Sequence, residues 1–213
     1  MRHTEVNLGE HPEYVIVGVG RIEQQFKDSR SSVGFDAIDY LDSISSKGTG
    51  CKRQVHIAFC DKCMLDGVIV LLVKPNVFLA NCGMTVHDIL LYYAIHPSKV
   101  IVLYDDHTLD VGRLKIGRGK TEFHHDALSS IAKYLKSNSF FRIGIGISGK
   151  EDPEELRIHK LSPFEKDEQK LIRSRYTYLA EWIRLIGKYS HVDPVEIFKI
   201  FNEDEEKMFG KKQ

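Results

Sequence analysis

Five short stretches of the chain bring together residue types that can do chemistry. "YDDHT" places Asp105, Asp106 and His107 just past an apolar run, and "FHHDAL" adds His124, His125 and Asp126 a short way on. "CDKC", Cys60 to Cys63, has the spacing of half a zinc site, which Cys51 and Cys82 could complete as a four-thiolate set. "GRLKIGRGK" gathers Arg113, Lys115, Arg118 and Lys120 with no acid between them, as a phosphate-binding surface requires. "DSRSSVGFDAI" has the shape of a helix entry that presents a working residue, yet its centre is Ser31 and Ser32.

Each stretch also has a plain structural reading. Neighbouring residues on a strand face opposite ways, so Asp105 and Asp106 do not converge on one ion. No second CxxC or HxxxH pair backs the cysteines, and "DKCML" reads as a turn between two strands, so no metal is expected. A Lys/Arg-rich strand can instead be a solvated sheet edge. Serines at a helix start are usually caps, each worth about 1 kcal/mol. "GVGRIE" lacks the third glycine of a dinucleotide fingerprint.

The elements that must hold these residues follow from hydrophobic period. "YVIVGVG" and "KVIVLYDD" are apolar, β-branched runs of the kind buried on both faces of a sheet, and "QVHIAFC", "GVIVLLV" and "FFRIGIGI" add further strands. "SSKGTG" reads as a break after the helix marked by Phe35, Ile38, Leu41 and Ile44. Helices are expected from about Thr85 to Ile95 and from about His124 to Leu135. Strands alternating with helices predict an α/β three-layer sandwich around a mixed, largely parallel sheet. Residues 14–149 form its core. Residues 150–213 make a polar loop and then C-terminal helices, one striped by Leu171, Ile172, Leu179, Trp182, Ile183 and Ile186 and a last one starting at Asp193.

Of the 213 residues, 42% are hydrophobic and 28% charged, ordinary for a soluble single domain. Thirty basic residues balance thirty acidic ones, so an anionic partner must be recruited by local clustering. Four cysteines and an opening segment with neither signal-peptide nor presequence character lead to the expectation of a cytoplasmic protein, with a mitochondrial one as the alternative. No run of about 18 apolar residues is present to cross a bilayer.

Taken in order, these segments resemble the bacterial-type peptidyl-tRNA hydrolase family. "VGVGRIEQQFKDSRSSVGF" is similar to its opening strand and "TRHNVGF" segment, and "LLVKPNVFLANCG" to its "KPxTFMNxSG". "VLYDDHTLDVG", "HHDALSSI" and "FFRIGIG" are similar to "vxxDDldlpxG", "GHNGLKSI" and "FxRLRIGIG". The resemblance implies a single α/β globule and an enzyme that cuts the ester between peptide and tRNA. Its base would be a histidine oriented by an aspartate, with asparagines positioning the substrate.

Carried over residue by residue, that histidine falls on Ser31 and its neighbouring asparagine on Ser32. The first-loop asparagine falls on Arg21 and the "FMN" asparagine on Ala80, beside Asn81. "GHNG" becomes His125 and Asp126, and the aspartate remains as Asp105. A serine hydroxyl is no general base without a second base to activate it. His107, His124 or His125 would have to supply that second base.

The expectation is therefore a family member without the hydrolytic site: a monomeric, cofactor-free protein that binds tRNA, rRNA or a ribosomal particle. Arg113, Lys115, Arg118, Lys120 and Arg142 would form its RNA surface, although Gly117 stands where the family commonly has a second basic residue. The alternatives are a diverged but active hydrolase and a protein-binding scaffold that uses the C-terminal helices.

Overall fold

The computed structural model describes residues 11–55, 57–119, 123–147, 152–189 and 196, with the backbone alone for 47–55. Seven strands form one sheet in the order β2-β3-β4-β1-β5-β7-β6. Its centre is parallel: β1 (Tyr14–Gly18) lies between β4 (Val68–Pro75) and β5 (Val100–Asp106), and β5 pairs with β7 (Phe141–Gly146). Antiparallel strands close both sides, β2 (Ser46–Val55) and β3 (Ala58–Leu65) on one and β6 (Leu114–Arg118) on the other. The sheet is thus parallel at its core and antiparallel toward both edges.

The apolar runs occupy the centre because helices cover both faces. One face packs under α1 (Val33–Ile44) and α5 (Lys166–Lys188), where Leu41, Leu72, Ile101, Leu103 and Ile143 meet Tyr176, Leu179, Trp182 and Ile186. The other packs under α2 (Cys82–Tyr93) and α3 (Asp126–Leu135), around Val17, Leu71, Val102, Ile89 and Ile131. Gly34 lets α1 start directly on the sheet: a Cβ there would stand 2.4 Å from the Val19 carbonyl oxygen and 2.6 Å from that of Leu103. No helix among the described residues is long and apolar enough to cross a membrane.

Three expectations are corrected. "SSKGTG" is no break, since Ser46 begins β2, a polar edge strand of the kind that limits edge-to-edge pairing. "DKCML" is no turn either. It continues β3, and the hairpin turns at Asp66 and Gly67, whose φ values of 46° and 89° suit an Asp-Gly type I′ loop. The polar run after residue 150 contains a helix, α4 (Pro153–Leu161), which Asp152 caps by accepting the Glu154 and Glu155 N–H groups. The piece starting at Asp193 lies outside the described residues, apart from Glu196.

Candidate functional site

The segment from Ser29 to Ser32 enters α1 as a turn of 3-10 helix and is buried throughout. Ser31 is 2% exposed, and its hydroxyl donates to the main-chain carbonyl of Lys160, 2.9 Å away near the end of α4. Ser32 is the N-cap residue of α1 but makes no side-chain cap. Its hydroxyl donates to the Phe26 carbonyl (3.0 Å) and accepts the Arg21 N–H (3.2 Å), so it ties down the β1–α1 loop rather than the helix. The capping expectation for these serines gives way to two loop-fastening hydrogen bonds.

Arg30 fixes the segment from its other side. Its side chain is 4% exposed, and the guanidinium forks onto the Glu168 carboxylate, donates to the Ile147 carbonyl at 3.0 Å and stacks over Phe164. Glu168 also accepts the Glu165 N–H that opens α5. Burial pushes the Glu168 carboxyl up, but the Arg30 and Glu165 donors outweigh it and hold the group below its ordinary range. His159 donates to the same Ile147 carbonyl at 3.1 Å, which closes α4 over the segment.

Asp105 and His125 meet at the C-terminal end of the parallel strands. Asp105 lies next to the end of β5 on its buried face and His125 precedes α3, with Nε2 and Oδ1 2.8 Å apart. The side chains are 9% exposed for His125 and 3% for Asp105. Facing a carboxylate oxygen, Nε2 carries the proton. Nδ1 is buried without a hydrogen-bond partner, and the ring stands edge-on to Tyr104. The Tyr104 hydroxyl donates to Asp106, which also accepts the N–H and hydroxyl of Thr108, so Asp106 serves the turn. Burial, with Asp106 next, raises the Tyr104 phenol far above its usual range. His107 is pushed below its ordinary value by burial and by Lys160, more than Asp106 and Asp105 restore, which favours the neutral imidazole.

The other carried-over residues make no hydrogen bond to this pair among the described residues. Arg21 reaches toward Glu23 and the Phe26 ring and lines a groove beside α1. Ala80 and Asn81 are exposed in a 3-10 turn before α2. The Ala80 carbonyl accepts from Ser130, and Asn81 stands at the N-cap position of α2 without a side-chain cap. Asp126 and His124 are exposed at the start of α3. The hydrogen bond of Ser31 goes to a carbonyl rather than to a histidine, so a serine-histidine triad is not assembled.

The basic cluster divides by strand pleat. Arg118 donates to the Ser139 carbonyl and lies over Phe141, on the face covered by α1 and α5. Lys115 is exposed on the opposite face, which Gly117 and Arg142 share as cross-strand partners. A Cβ at Gly117 would stand 2.7 Å from an Arg142 terminal nitrogen, so the missing side chain makes room for that guanidinium, which stacks over Phe123. Burial lowers the Arg142 pKa, and its Nη1 is left without a partner. Arg113 pairs with Asp110 at 3.6 Å, and Lys120 lies outside the described residues.

Among the described residues, Cys60, Cys63 and Cys82 do not form a zinc set. Cys60 and Cys63 are buried in the cores on opposite faces of β3, and burial pushes the Cys82 thiol up to about 12, away from a thiolate. The Cys51 side chain lies outside those described. Among the described residues, no three His, Cys, Asp or Glu groups converge on a point. Sequence reasoning missed Lys160, whose contribution is a main-chain carbonyl and carries no side-chain signal.

This arrangement has relatives. The family model for peptidyl-tRNA hydrolase matches residues 15–207. The peptidyl-tRNA hydrolase of Lachnoclostridium phytofermentans is 33% identical over 160 residues, covering 75% of this chain and 83% of that protein. That of Thermoanaerobacter pseudethanolicus is 34% identical over 159 residues, covering 75% and 84%. The crystal structure of peptidyl-tRNA hydrolase from Acinetobacter baumannii superposes with a TM-score of 0.75 at 20% identity, over 85% of this chain and 93% of that one, a likeness of fold. The chain belongs to the peptidyl-tRNA hydrolase family.

Proposed function

We propose that this family member binds tRNA, or RNA of similar form in rRNA or a ribosomal particle, without cleaving a peptide ester. The observation that carries the reading is how the two central groups are occupied. Ser31, where the family resemblance places the base, spends its hydroxyl on Lys160, and Asp105, the orienting acid, is held by His125. General-base catalysis contributes about 100-fold to 10,000-fold, and no group at the Ser31 position is able to supply it. For RNA, the exposed Lys115 and the half-buried Arg142 guanidinium put two positive charges on the same face of the β6–β7 pair. Such contacts attract phosphates irrespective of sequence.

One observation favours a second reading, residual hydrolysis. Asp105 orients the His125 imidazole and leaves Nδ1 unpaired, as a substitute base would need. The two readings separate when purified protein is incubated with peptidyl-tRNA while release and tRNA binding are both measured. Binding without turnover is the expected result. Turnover abolished by His125→Ala would replace the first reading with the second.

A further inference from the structure

A groove of about 620 Å³ runs along the outer side of α1, on the opposite flank of that helix from the cleft it forms with α5. It exists because β3 and β4 extend past their helical cover. Phe35 and Ile38 of α1 and Leu72 of β4 line its apolar part, and Phe59 of β3 is 55% exposed beside it, although it sits within a strand. Exposed aromatic surface at the mouth of a formed groove marks a contact surface more often than a free one.

Charge selects the occupant. Four carboxylates, Asp36, Asp39, Asp42 and Asp61, face three cations, Arg21, Lys27 and Lys74. Lys74 is committed to Asp39 at 2.6 Å and lies over Phe35, while Arg21 leans on Glu23. Asp42 and Asp61 have partners of their own. Asp36 makes no hydrogen bond or ion pair among the described residues, and Asp39 and Asp28 oppose its charge more than the nearby Lys74 and Lys27 offset it. An incoming ammonium or guanidinium would relieve that repulsion, whereas an anion would meet it. Phe35 to Asp42 spans about 10 Å of helix, the length of about three extended residues.

From this geometry we propose that the groove between α1 and the β3–β4 hairpin receives a short polypeptide segment of alternating basic and apolar residues, the base against Asp36 and an apolar neighbour on Phe59. Asp105 and His125 take no part in lining it, so the proposal stands or falls separately from RNA binding.

The test is fluorescence anisotropy of the full chain with a labelled alternating Lys/Leu peptide and its Glu/Leu counterpart. The Lys/Leu peptide is expected to bind one to one, and the Glu/Leu peptide much more weakly. Asp36→Asn should weaken binding about tenfold, the worth of one charge-assisted hydrogen bond. Phe59→Ser, at an exposed position that the fold does not need, should weaken it several-fold. Three outcomes would overturn the proposal: affinity unchanged in both variants, equal binding of the two peptides, or a concentration-dependent dimer that Phe59→Ser dissolves. The last would assign the groove to a second copy of the chain.

Discussion

Ser31 and Lys160 stand 129 positions apart in sequence and are joined by one hydrogen bond, from the serine hydroxyl to the lysine's main-chain carbonyl. Through it the end of α4 lies against the entry to α1, in a spot with almost no solvent contact.

Restoring a histidine there is therefore not a simple reversal. Ser31→His must push α4 aside, and overpacking of a buried site costs about 1–3 kcal/mol. The expected outcome is a lower thermal midpoint and no gain in peptidyl-tRNA release, because His125 still holds Asp105. Ser31→Ala, which leaves the Lys160 carbonyl unpaired, should cost about 1–2 kcal/mol by urea unfolding.

The buried Asp105–His125 pair gives a second expectation. Removing one partner of such a pair strands the other, and the usual cost is about 3–5 kcal/mol. His125→Ala should fall within that range, since it strands the buried Asp105 and removes the ring that stands edge-on to Tyr104. The double variant with Asp105→Asn should lose clearly less than the sum of the single losses, and a denaturation cycle measures the difference.

RNA affinity should separate two arginines that are close in sequence to the same strand pair. Arg142→Gln is expected to weaken tRNA binding several-fold and to lower the salt-dependence slope by about one. Arg118→Gln should leave both unchanged, because Arg118 is spent on Ser139 across the sheet. Gly117→Lys would contest the space of the Arg142 guanidinium, and its effect should resemble Arg142→Gln rather than a gain of charge.

Asp36 sets a pH dependence. Burial above all, then Asp39 and Asp28, raise its pKa from 3.8 to about 6 against the opposite pull of Lys74 and Lys27. Between those values the folded chain keeps a proton that the unfolded chain has released, so this group's contribution to stability falls as pH rises through the window. Asp36 retains solvent contact, and screening reduces the effect to at most about 1 kcal/mol. Asp36→Asn should raise the urea midpoint at about pH 7 and change it little at about pH 4.

The buried core strands were legible because strands covered on both faces must be apolar, and Tyr14–Gly18 and Val100–Asp106 are nearly so throughout. What escaped is polar and lies at the periphery. β2 carries Ser46, Lys47, Gly48 and Thr49 because an edge strand needs no apolar face, and the same letters spell a loop. α4 has no buried residue, so hydrophobic period could not find it, although Asp152 and Pro153 spell its start and His159 and Lys160 suit its end. At the site, the meeting of Asp105 and His125 came from segments that the family resemblance already aligned. The Ser31–Lys160 bond could not be read, since a carbonyl is common to every residue and only the path of α4 brings this one near.

Glu168 carries a consequence of its own. One carboxylate caps the start of α5 and neutralises the arginine beneath the entry to α1, so neither helix start can fray without releasing the other. The backbone amides of Arg30, Ser32 and Gln169 should then exchange with solvent as one unit, at rates that rise together in Glu168→Gln. Two segments far apart in the chain would share a single opening event.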